Sequence, residues 1–63
     1  MDQNLEYLLR EYTERITYLT EGLARGNVPT MEEYRYVCGQ LRGLEAACGI
    51  IEDLKKRMET SDE

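Results

Sequence analysis

The chain has 63 residues, with 13 acidic and 8 basic side chains and a formal net charge of -5. One small domain spanning residues 1–63 is the most it can form, and at this length only about 60% of the unfolded surface is buried on folding, so it is expected to lean on a partner or on copies of itself. Histidine is absent, which excludes imidazole chemistry. The acidic balance disfavours nucleic-acid binding, and no apolar run reaches the roughly 20 residues that a membrane-spanning helix needs.

The first segment, about 2–25, places Leu5, Leu9, Tyr12, Ile16, Leu19 and Leu23 at alternating spacings of four and three. That is the heptad seam of a packed helix. Leu8 widens the stripe, and Gly22 weakens the helix slightly. Glu6 with Arg10 and Glu11 with Arg15 have the i, i+4 spacing that supports an exposed helical face. No secretory-leader pattern is expected at the N-terminus.

Gly26 suits the left-handed position that ends a helix, and Asn27, Val28 and Pro29 continue as a turn. Thr30 is the expected N-cap of a second helix, with Glu33 three residues on completing a capping box. Glu32 and Glu33 place negative charge at the positive end of the helix dipole.

The second helix is expected over about 31–59, with a seam of Tyr34, Val37, Leu41, Leu44, Cys48 and Ile51. Lys55, Lys56 and Arg57 are expected to put positive charge in its last turns. A frayed polar tail is expected from about residue 60. A connection this short forces the helices to run antiparallel. The seams then meet as Leu23 with Tyr34, Leu19 with Val37, Ile16 with Leu41, Tyr12 with Leu44, Leu9 with Cys48 and Leu5 with Ile51. The fold class is therefore all-α, an antiparallel two-helix hairpin packed against copies of itself or a larger partner.

The second helix carries another stripe. Tyr36, Gly39, Gly43, Ala46 and Ile50 fall on one face that points away from the seam, with Ala47 beside it. A solvated face would hold Glu, Lys, Gln or Arg. Each glycine inside a helix costs about 1 kcal/mol relative to alanine, so Gly39, Gly43 and Gly49 imply a close helix contact that offsets them, unless they sit on a plain solvated face. Arg35 and Arg42 lie seven residues apart beside the stripe. They either pair with Glu6, Glu14 or Glu21 across the hairpin or rim a docking surface. These seven residues, Tyr36, Gly39, Gly43, Ala46, Ile50, Arg35 and Arg42, are the candidate protein interface. Tyr7, Glu11, Glu14 and Tyr18 form a milder outward face on the first helix.

Nothing in the sequence points to catalysis, and the chain is read as non-enzymatic. The only serine, Ser61, lies near the end, and Glu11 with Glu14 sit on an exposed face without a cavity to tune them. No metal ligand set is expected, because Cys38 and Cys48 lack C-x-x-C spacing. On one helix their Cα atoms lie about 15 Å apart, too far for a disulfide. No phosphate loop opens a helix, two helices cannot enclose a ligand pocket of ordinary size, and no cofactor or small-molecule substrate is expected.

The stretch from Glu33 to Glu45, with Tyr34, Gly39, Arg42, Gly43 and Leu44 in the pattern E-Y-x-x-x-x-G-x-L-R-G-L, resembles small acidic helical proteins encoded by tailed bacteriophages. The resemblance implies a protein made in the bacterial host cytoplasm and built into the virion, with a phage structural protein or itself as partner. It supplies no catalytic residues. The alternatives are a small phage regulator that binds a host protein, and a free-standing homo-oligomeric bundle. Acidic mimicry of nucleic acid is disfavoured because acids and bases alternate along the chain.

Overall fold

The computed structural model describes residues 3–61, which form two helices, α1 (Gln3–Ala24) and α2 (Met31–Ser61). They pack against each other as an antiparallel hairpin, the all-α architecture expected from the two seams. The molecule is long and thin, 51 × 15 × 13 Å.

The turn follows from local chemistry. Gly26 has φ 75°, the left-handed region that glycine enters without a Cβ penalty. Its N–H donates to the Leu23 carbonyl (3.1 Å), and the Asn27 N–H donates to the Gly22 carbonyl (3.0 Å). These two bonds form a Schellman motif and satisfy carbonyls that the end of α1 would leave unpaired. At the start of α2 the Glu33 N–H donates to Thr30 Oγ1 (3.1 Å), and the Tyr34 N–H donates to the Thr30 carbonyl (3.0 Å). Thr30 is thus the N-cap, with half of the expected box. Among the described residues the Glu33 carboxylate does not return a bond to the Thr30 N–H.

All six seam residues of α1 are half-buried, as are Val37, Leu41, Leu44 and Cys48 of α2, while among the described residues Ile51 alone is buried, at 9% exposure. Tyr34 departs from the expected seam and is 47% exposed. It lies in the first turn of α2, and its phenol keeps contact with water. Val28 in the turn is half-buried at that end instead.

At the open end the seam runs one step further than expected. Lys55 is half-buried, and its Nζ donates to Glu6 Oε1 at 3.1 Å. Glu6 therefore reaches across to α2 rather than along α1 to Arg10. α2 continues to Ser61, so its last turn holds no basic residue, and Lys55, Lys56 and Arg57 sit above that turn. Thr60 lies within α2, and its hydroxyl donates to the Lys56 carbonyl at 2.9 Å. The remainder of the expected tail, residues 62 and 63, lies outside the described residues, as does residue 2 at the start of the first helix.

Candidate protein-interaction surface

α2 is a continuous α-helix through Gly39, Gly43 and Gly49, none of which has positive φ. Its regular 3.6-residue turn therefore holds Tyr36, Gly39, Gly43, Ala46 and Ile50 on one outward face. All five are exposed, Tyr36 at 68% and Ile50 at 70%. A Cβ placed on Gly39, Gly43 or Gly49 would meet nothing within 4 Å. No close approach inside the hairpin accounts for these glycines.

Arg35 and Arg42 are exposed at the border of this face, where they line an open recess with Tyr34, Cys38 and Gly39. They make no ion pair among the described residues. Two of their candidate partners are engaged elsewhere: Glu6 with Lys55, and Glu21 with Arg25 at 3.6 Å. Of the i, i+4 pairs read from the sequence, Glu11 with Arg15 does not form among the described residues, and the Arg15 guanidinium lies 5.6 Å from the Tyr18 ring centroid instead. On the other border of the face, Gln40 Nε2 donates to the Tyr36 hydroxyl at 3.3 Å.

The face extends beyond the five residues legible as a small-residue stripe. Ile50, Asp53, Leu54 and Arg57 line a second recess one to two turns further on. Leu54, at 45% exposure, stands five turns from Tyr36 and so directly in line with it. The continuing spacing of four and three past Ile50 is the signal that marks these residues. At the turn end of the hairpin a third recess is lined by Tyr18, Leu19, Gly22, Val28 and Val37. Gly22, read from the sequence as a mere weak point in the first helix, is half-buried on its wall.

Cys38 and Cys48 are both free and half-buried. Among the described residues no cluster of three or more Cys, Asp or Glu is placed to hold a metal ion, and no buried side-chain nitrogen or oxygen lacks a partner. No described helix is long and apolar enough to cross a membrane. The outer face of α2 presents apolar area at Tyr36 and Ile50, bare backbone at Gly39 and Gly43, and charged side chains at its margins. Comparison of the chain with family models, with curated proteins and with solved structures found no match.

Proposed function

We propose that this protein is a non-enzymatic packing component that works by presenting the outer face of α2 to another helix. The observation that carries this reading is the pairing of exposed Tyr36 and Ile50 with Gly39 and Gly43, two glycines that the hairpin itself does not need. Each lowers helix stability by about 1 kcal/mol relative to alanine, and a close-packed neighbour would offset that loss. Arg35 and Arg42 would rim the contact, a role to which the planar guanidinium is suited.

The resemblance of the Tyr34, Gly39, Arg42, Gly43, Leu44 pattern to small acidic phage proteins supports a structural or assembly role in a tailed-phage particle, with the protein made in the host cytoplasm. The test is quantitative mass spectrometry of purified particles of the encoding phage. A structural role predicts a fixed copy number per particle that survives high-salt washing. Absence from the particles, with synthesis early in infection, would overturn it in favour of a regulator of a host protein.

A further inference from the structure

We propose that the occupant of the α2 face is a second copy of this chain, docked antiparallel about a two-fold axis beside Leu44 and Glu45. This inference rests on the reading of that face as a protein-docking surface, and it names the partner and the register.

Charge sets the orientation of the two copies. Glu32, Arg35, Asp53 and Arg57 are exposed at the two ends of the face, and none is ion-paired among the described residues. Arg35 and Asp53 are eighteen residues apart, five full turns, so they project from the same line of the helix. Glu32 and Arg57 lie within a small rotation of one another in the same way. An antiparallel two-fold pairing sets Arg35 against Asp53 of the second copy and Glu32 against Arg57 of the second copy. Each pair occurs twice, because an isologous contact repeats every interaction. A parallel pairing would set each of these charges against its own kind.

Side-chain shape agrees with the same register. Tyr36 meets Leu54 of the second copy. Ile50 meets Gly39, so a large side chain fills the space that a missing one leaves. Gly43 and Ala46 meet at the axis, where the absence of bulk lets the helices approach closely. One register thus serves the apolar, small and charged positions together. The two α2 helices form the centre of the assembly, and each α1 packs on its outer side.

The hairpin also leaves ample surface in water. The chain exposes 5190 Å². A compact monomer of 7.4 kDa is expected to expose about 4200 Å². The excess of about 1000 Å² is spread over the whole elongated hairpin, and the roughly 800 Å² per partner that a stable protein interface buries falls within it.

The test is the solution mass across concentration, by sedimentation equilibrium in low salt, for wild type, Arg35→Glu, Asp53→Lys, their equimolar mixture and Gly43→Leu. All the substituted positions are exposed on α2, and helicity by circular dichroism checks that each variant folds. The expected result is a wild-type dimer, a dissociation constant roughly tenfold weaker or more for each single charge variant, and recovery in the mixture, where the reversed charges complement one another. Gly43→Leu is expected to be monomeric. Single charge variants that dimerise as tightly as wild type, with Gly43→Leu monomeric, would overturn the antiparallel register. A monomeric wild type would overturn the second copy as occupant and leave the face to another protein. A wild-type dimer indifferent to Gly43→Leu and to both charge changes would overturn the docking face itself.

Discussion

Lys55 Nζ lies 3.1 Å from Glu6 Oε1, joining residues 49 positions apart at the open end of the hairpin. It is the one ion pair between α1 and α2 among the described residues, and it clasps the ends furthest from the turn. Lys55 also continues the seam below Ile51, so its aliphatic stem covers apolar surface while the ammonium reaches Glu6. Because Glu6 is half exposed, the pair is worth at most about 1 kcal/mol. Lys55→Met, which keeps the stem, is expected to lower stability by less than that, and Lys55→Ala by more. Thermal melts in low and high salt check this: the wild-type advantage over Lys55→Met shrinks with salt, and the advantage of Met over Ala does not.

The turn makes a second set of expectations. Gly26→Ala forces a Cβ into φ 75° and is expected to cost about 1–2 kcal/mol. Thr30→Ala removes the acceptor of the Glu33 N–H and is expected to cost about 1 kcal/mol, while Thr30→Ser is nearly neutral. In a domain of this size each kcal/mol lowers the melting temperature by about 4–8 °C. Differential scanning calorimetry of the three variants at one protein concentration reads these effects.

The seam sets a third. Ile51 is the most buried side chain, and Ile51→Ala is expected to cost about 2 kcal/mol, the low end for core truncation because the site lies close to solvent. Leu9→Asp and Leu41→Asp bury a carboxylate in the half-buried seam and are expected to unfold the hairpin. Tyr34→Ala removes an exposed ring and is expected to change hairpin stability by about 0.5 kcal/mol or less. Helicity by circular dichroism separates the three classes.

Heptad spacing made the hairpin readable from the residues, because two adjacent helices hide their apolar side chains along one shared seam. The expected layers were less so: Glu6 meets Lys55, and Leu9 lines a recess with Glu52, Lys55 and Glu59, further along α2 than the Cys48 expected opposite it. Gly26 and Thr30 were readable because each answers a local backbone need. Tyr34 was misassigned because periodicity marks a face of a helix and not where along it the seam begins; Val28 is half-buried at that end instead. Glu6 was misassigned because i, i+4 spacing within α1 says nothing of the reach of Lys55 from α2, and Arg15 because the Tyr18 ring lies as close along the helix as Glu11 does. The outward face was visible in Gly39, Gly43 and Ala46, where small residues interrupt a surface that should be charged. Its continuation to Asp53, Leu54 and Arg57 was hidden, because those residues resemble any solvated helix end until the line from Arg35 and Tyr36 is followed along the helix.

A contact outside the hairpin that uses Gly39 and Gly43 is tested most directly by one measurement. Melting temperature is measured against protein concentration for wild type and for the Gly39→Ala, Gly43→Ala double variant, with Gly49→Ala as a control off the face. No Cβ at these positions meets a neighbour, so at dilutions where chains are separate the double variant should be the more stable, by up to about 2 kcal/mol. With rising concentration the wild-type melting temperature should climb and overtake it, because association stabilises only the chain that can make the contact. Gly49→Ala should climb in parallel with wild type. A double variant that stays above wild type at every concentration, with neither curve rising, would contradict the account and return these glycines to a plain solvated face.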